Sequence, residues 1–225
     1  MKLLSTYMPG SSRLSADLSG KFSAKGPLLF LLRHGRIRGH ETRRFIGQTD
    51  VGLDNTGMDQ ARAWQPVFDH IRFDRIYVSG LERARQTAAL ACPGRTIIRD
   101  TRINEINLGE WENLRFDRVR QQFPEPFAQR GRDIFRYRPP RGESFADLLH
   151  RANGFFSREA GSGPRNRSGN TLAVTHSGVI RTMVCHWSGR PMDRLMDTRP
   201  AYGELFVLAC PRDGEEEGKT TGTQV

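Results

Sequence analysis

The run Leu28-Leu29-Phe30-Leu31-Leu32 contains no polar side chain, and Arg33-His34-Gly35 follow it at once. Five apolar residues bounded in this way read as a strand covered on both faces, the setting of a central strand in a mostly parallel sheet. Such strands end at the carboxyl edge of the sheet, where open α/β folds place their ligands. The chain thus carries a guanidinium and an imidazole out of its core on a rigid support. Gly35 lets the backbone pass close to whatever they hold. Taken alone, a core strand that ends in polar residues explains the stretch equally well. The same arrangement returns downstream, however, where Thr171-Leu172-Ala173-Val174-Thr175 is followed by His176-Ser177-Gly178.

After Gly35 comes a polar, basic loop with Arg36, Arg38, His40, Arg43 and Arg44, suited to an anionic substrate or simply to solvent. Asn55-Thr56-Gly57 opens a helix, with Asn55 or Thr56 as the N-cap. Asp74 to Ser79 reads as a strand and Leu81 to Ala91 as a helix carrying Arg83 and Arg85 in its first turns. Arginines there oppose the helix dipole, a cost that a bound anion would offset. Thr96-Ile97-Ile98 is a further strand, residues 102–111 are a loop, and residues 112–123 are helical. Pro124, Pro126, Pro139 and Pro140 bracket a basic, irregular stretch that would suit a lid over the strand ends. Gly142-Glu143-Ser144 introduces a helix to Glu159, residues 161–169 form a connector, Val179 to Trp187 are helical, and Tyr202 to Cys210 read as the last strand.

This alternation predicts an α/β fold, a three-layer α/β/α sandwich with a mostly parallel central sheet. Residues 1–26, rich in Ser, Gly and Lys, read as a flexible N-terminal tail. Residues 27–210 read as one domain and 211–225 as a disordered C-terminal tail.

The formal charge of +10 comes chiefly from arginine, since lysine occurs only at positions 2, 21, 25 and 219. The arginines are scattered and not interleaved with aromatics, which speaks against a nucleic-acid partner and for anionic ligands. Cys92, Cys185 and Cys210 are too few and too scattered for a disulfide framework or a zinc site, and they suit a reducing cytoplasm. No apolar run is long enough for a membrane span.

Two strand ends therefore deliver His34 and His176, and a third, at Ser79-Gly80-Leu81, delivers Arg83. Two arginines and two histidines about one point make a site for a doubly charged oxyanion, because guanidinium matches phosphate geometry and stays charged. A neutral imidazole among them can attack phosphorus. Glu105 offers what cations cannot, a proton for the leaving oxygen; Glu110 and Glu112 stand close enough in sequence to serve instead. A P-loop is absent from the sequence.

Arg33-His34-Gly35, Ser79-x-Leu81-x-Arg83-Ala84-x-Gln86-Thr87, Ile103-x-Glu105 with Gly109-x-Trp111-Glu112, and Thr175-His176-x-Gly178 together resemble the histidine phosphatase (phosphoglycerate mutase-like) superfamily. The motifs stand in that family's order over residues 28 to 210. The resemblance implies a phosphoglycerate mutase-like fold and a catalytic set of His34, Arg33, Arg83, His176 and Glu105. His34 would be the phosphorylated nucleophile. Arg33, Arg83 and His176 would hold the phosphoryl oxygens, and Glu105 would be the general acid and then the base. Backbone N–H groups near Gly35 and Ser177 would assist. Neither metal nor cofactor is implied. Trp111 reads as a packing residue.

Two positions depart from the family pattern. Ile37 and His40 stand where relatives carry Thr and Asn, so either His40 replaces the Asn on the phosphate or that contact is missing. The segment between Glu105 and His176 is shorter than in the mutases and resembles the phosphatase branch. Phe45-Ile46-Gly47-Gln48-Thr49-Asp50 resembles α-ribazole-phosphatase-like members, which act on a cobalamin precursor, and places Gly47 and Gln48 beside the substrate. The expectation is a metal-independent phosphomonoesterase acting on a small phosphorylated metabolite, with neither nucleic acid nor membrane as partner and a homodimer left open. A mutase-type phosphoryl transfer and a non-catalytic phosphate-binding module are the alternatives.

Overall fold

The computed structural model describes residues 1–22, 25–159 and 169–210. In chain order the elements are β1 (Lys2–Tyr7), α1 (Arg13–Ser19), β2 (Leu28–Arg33), α2 (Asn55–Arg62), α3 (Gln65–Phe68), β3 (Phe73–Val78), α4 (Glu82–Ala91), β4 (Ile98–Arg99), α5 (Phe116–Gln122), α6 (Pro124–Arg132), α7 (Phe145–Glu159), β5 (Asn170–Thr175), α8 (Ser177–Trp187) and β6 (Leu205–Ala209). The strands form one sheet in the order β1-β6-β2-β5-β3-β4. Pairs β2–β5, β5–β3 and β3–β4 are parallel, while β6 runs antiparallel to both β2 and β1. Helices cover both faces, as the sequence predicts, and the architecture is the phosphoglycerate mutase-like sandwich.

The apolar run explains the central place of β2. Leu29 and Leu31 point to one face, where they meet Phe155 of α7 and Ile180 and Met183 of α8. Leu28, Phe30 and Leu32 point to the other, where they meet Trp64, Phe68 and Ala88. A strand with no polar face has to be covered twice. The register then pairs Arg33 with Thr175 and Val78 with Val174. The carboxyl ends of β2, β5 and β3 therefore lie side by side.

Several boundaries differ from the sequence expectation. Residues 1–26 are not a free tail over their described part. Strand β1 extends the sheet beyond β6, and Tyr7, Leu14 and Phe22 are buried. The segment carries little sequence signal because β1 buries only Tyr7 fully and so lacks clean alternation. The α2 cap is Asp54, whose Oδ1 accepts the Gly57 N–H at 2.7 Å; Asn55 and Thr56 lie inside the helix. Arg36 fixes the other Asp54 oxygen at 2.6 Å. The third strand is reduced to two exposed residues at the sheet edge. The helix expected over 112–123 starts only at Phe116, and the stretch after Pro124 continues as helix α6. Proline is tolerated in a first helical turn, where its missing N–H would have no helical acceptor. Ser144 and Asp147 exchange hydrogen bonds as a capping box ahead of α7. Most of the 161–169 connector and the whole of 211–225 lie outside the described residues. Among those described, no helix is long and apolar enough to cross a membrane.

Candidate active site

His34 and His176 leave adjacent strand ends, and their rings meet with centroids 5.1 Å apart. Both are buried. His34 Nδ1 lies 2.8 Å from the Gly35 carbonyl. A carbonyl only accepts, so Nδ1 carries the proton and Nε2 keeps its lone pair. Burial, with Arg83 and Arg33 close by, holds the His34 imidazole well below the usual histidine range. The ring is a neutral base with one defined free nitrogen.

The His176 ring is oriented by a hydrogen-bonded chain. Gly80 N–H donates to Asn104 Oδ1 at 2.7 Å, which fixes that atom as the oxygen. Ser79 Oγ donates to the same atom at 2.8 Å. Ser79 Oγ therefore accepts from His176 Nε2–H, at 2.7 Å. His176 Nδ1 remains buried with no partner among the described residues. Burial, and after it Arg83 and His34, also lower this imidazole well below its usual range.

The two guanidiniums are held from outside the pocket. Arg33 donates to the Pro200 carbonyl at 2.7 Å and stacks 3.8 Å over the Tyr202 ring, and its buried Nε has no partner among the described residues. Arg83 donates to the carbonyls of Gly47 (2.5 Å) and Thr49 (2.9 Å). Burial lowers the pKa of both, and the nearby Glu105 charge opposes that shift.

Of the three candidate carboxylates only Glu105 belongs to this site. It is buried, its Oε2 accepts the Gly178 N–H at 3.0 Å, and its Oε1 accepts the Ile106 N–H at 3.0 Å. Gly178 has no room for a side chain, since a Cβ would stand 2.1 Å from Glu105 Oε1. Arg151 braces the backbone here, donating to the carbonyls of Arg102, Asn104 and Glu105 while paired with Glu143. Glu110 is instead engaged with Arg141 at the surface. Glu112 is saturated by Gly47, Gln48, Thr49 and Leu108.

The expected substrate-binding set is placed differently. Gly35 N–H donates to Thr87 Oγ1 at 3.0 Å. A Cβ on Gly35 would lie 2.3 Å from the Gly57 carbonyl oxygen, so close packing on α2 is what requires glycine there. His40 stands in the basic loop, 2.9 Å from Glu41 and 3.9 Å from Asp54, and does not join the two histidines. The N–H groups of Gly47 and Gln48 serve Glu112, and the Gln48 side-chain amide donates to the Glu105 carbonyl at 3.0 Å, so both support the site rather than line it. Ser177 Oγ accepts from Arg181 at 2.6 Å.

Tyr202 is the site residue that sequence reasoning missed. It stacks on Arg33 and lies 5.7 Å from the His34 ring. In the sequence it reads only as the first residue of the last strand, which in the structure starts at Leu205. Glu112 stands in a quoted motif, but its service to the loop could not be read from spacing.

Two neutral imidazoles, two guanidiniums and a carboxylate at the carboxyl edge of an α/β sheet define a protein built to hold and move a phosphoryl group. Comparison with known proteins gives that class a family. The profile of the histidine phosphatase superfamily (branch 1) matches residues 29–219. The adenosylcobalamin/alpha-ribazole phosphatase of Salmonella typhimurium is 30% identical over 178 residues, which cover 78% of this chain and 86% of that protein. The 6-phosphofructo-2-kinase/fructose-2,6-bisphosphatase of Gallus gallus is 29% identical over 186 residues, 81% of this chain but 35% of that protein. The crystal structure of the alpha-ribazole phosphatase from Shigella flexneri has a TM-score of 0.73 at 26% identity, covering 80% of this chain and 89% of that one. The chain belongs to the histidine phosphatase superfamily, branch 1.

Proposed function

We propose that this protein hydrolyses phosphomonoesters through a phosphohistidine on His34. The observation that carries the reading is a pair of facts about one buried point. His34 presents an unprotonated Nε2, and beside it the Nε–H of Arg33, stacked on Tyr202, is buried with no acceptor among the described residues. A buried cationic N–H without an acceptor calls for an oxyanion. The P–O(ester) bond breaks as His34 Nε2 bonds to phosphorus. The leaving alkoxide takes the proton of the Glu105 carboxylic acid. Glu105, now a carboxylate, takes a proton from water. That water attacks phosphorus, the N–P bond breaks, and inorganic phosphate leaves with His34 restored. Arg33 and Arg83 hold the non-bridging oxygens throughout, supplying fixed positive charge without a metal, and His176 joins them through Nδ1–H when the phosphate dianion draws a proton onto that ring.

The likeness to the two relatives brings α-ribazole phosphate and fructose 2,6-bisphosphate forward as candidate substrates, and a small phosphorylated metabolite as the class. Cytoplasmic placement fits such a substrate. The test is acid-stable versus acid-labile phosphoenzyme after rapid quench with labelled aryl phosphate. An acid-labile, base-stable label lost in His34→Asn, with turnover insensitive to EDTA, is expected. Undiminished hydrolysis by His34→Asn would overturn the reading, and isomerisation without phosphate release would move it to the mutases.

A further inference from the structure

Tyr202 has no part in the chemistry proposed above, yet it touches both residues that leave β2. Its ring lies 3.8 Å from the Arg33 guanidinium and 5.7 Å from the His34 ring. It belongs to the turn between Pro200 and Leu205, and that turn grips the end of β2. The Arg33 N–H donates to the Glu204 carbonyl at 3.0 Å, and the Gly203 N–H donates to the His34 carbonyl at 3.1 Å. The turn is itself locked. Glu204 Oε2 accepts the Ala201 N–H at 2.7 Å, and the Ala201 carbonyl accepts the Glu204 N–H at 3.2 Å. The Gly203 carbonyl accepts the indole N–H of the fully buried Trp64 at 2.8 Å. Tyr202 therefore rides on a rigid support.

The Arg33 guanidinium needs such a support. Arg83 is fixed by two carbonyls, those of Gly47 and Thr49. Arg33 has the Pro200 carbonyl at 2.7 Å, which holds one nitrogen and leaves the guanidinium plane free to turn about it. A ring stacked on that plane fixes it. The Nε–H, the donor with no acceptor among the described residues, then keeps one heading.

We infer that Tyr202 is a positioning residue for phosphoryl transfer: stacked on Arg33, it sets the heading of the Nε–H that receives a phosphoryl oxygen, and it acts through Arg33. The inference rests on the phosphatase reading above and adds a residue to it. The ring face carries the effect, not the phenol oxygen. Arginine is required at position 33 for the same reason, since an ammonium group has no plane to stack. A bound ester tolerates a range of donor headings, whereas the transition state, with phosphorus bonding to His34 Nε2, does not. The role of Tyr202 is therefore felt in kcat.

The test combines aryl phosphate hydrolysis with calorimetric binding of vanadate, a mimic of five-coordinate phosphorus. Tyr202→Leu should lower kcat by roughly 10- to 100-fold while KM stays within about threefold of its unmodified value. Tyr202→Met keeps more bulk without a ring face and should behave in the same way. Tyr202→Phe keeps the ring face and should recover most of the loss. Vanadate affinity then closes a cycle with Arg33→Lys, which needs no turnover. Tyr202→Leu should weaken vanadate roughly tenfold in the unmodified background and by no more than about twofold in Arg33→Lys. Equal weakening in both backgrounds would assign Tyr202 to packing and overturn the inference, as would unchanged kcat in Tyr202→Leu and Tyr202→Met. A Tyr202→Phe protein as slow as Tyr202→Leu would move the effect to the hydroxyl and overturn it too. Each of these results leaves the phosphatase reading intact. Failure of the unmodified protein to release phosphate from any aryl ester would instead sink that reading, and the positioning role with it.

Discussion

Glu112 fixes Arg83 without touching it. The Glu112 carboxylate gathers the N–H groups of Gly47, Gln48 and Thr49, and the carbonyls of Gly47 and Thr49 then point at the Arg83 guanidinium. An acidic side chain from one segment thus shapes a loop from another so that its oxygens hold a third.

Glu112→Gln tests this arrangement. An amide has one acceptor oxygen where the carboxylate has two, and its NH₂ would face backbone donors. Leaving those buried N–H groups unpaired costs roughly 2 kcal/mol, about 5 °C in Tm. As Arg83 loses its fixed position, kcat/KM should fall by roughly 10- to 100-fold. Steady-state kinetics beside calorimetry checks both, and a variant of unchanged Tm and activity would mean that the loop holds itself.

Gly178→Ala separates helix propensity from site geometry. Within α8 alanine would favour the helix by up to ~1 kcal/mol. The new Cβ, however, would meet Glu105 Oε1. Displacing the acid should lower kcat by roughly 100-fold and lower Tm as well. A variant that gains stability and keeps kcat would show that Glu105 sits elsewhere during turnover.

Ser79→Ala removes the acceptor of His176 Nε2–H. The unmodified protein should show the neutral Nε2–H tautomer for His176 in ¹⁵N NMR. In the variant that signal should move toward tautomer exchange, and kcat/KM should fall by roughly tenfold, more through KM than kcat. An unaltered ring signal would assign the orientation of His176 to packing alone.

Acid should weaken the fold in a window set by the two histidines. Both have folded pKa values depressed well below 6.5 by burial and neighbouring cations. As pH falls below about 6.5 the unfolded chain takes up protons that the folded one refuses, so stability declines. Each ring adds a slope that approaches about 1.4 kcal/mol per pH unit, until the folded pKa is reached. Stability contributed above the unfolded value is thus lost on the acid side. Urea midpoints followed from pH 7 to 5 should fall, and His176→Asn should reduce that slope. Equal slopes in both proteins would assign the effect to other groups.

How much of this was legible in the sequence differs from residue to residue. The place of β2, the exit of Arg33 and His34 from the core, and the packing role of Trp111, which lies buried among Phe45, Phe123, Phe127 and Tyr137, could be read from local pattern. Strand β1 could not, because an edge strand with one sparsely buried face carries little periodicity.

The sequence by itself determined that this chain builds an α/β sandwich around an entirely apolar strand, since such a strand is stable only when covered on both faces. It also determined which side chains leave that core, because they follow the buried runs directly. Only the tertiary structure decided that β5 lies between β2 and β3 and so brings His34, His176 and Ser79 to one edge. It also separated three neighbouring carboxylates into a buried acid at Glu105, a loop clamp at Glu112 and a surface ion pair at Glu110. The physical reason is that a side chain's role depends on the donors set opposite it, and here those donors come from segments distant along the chain.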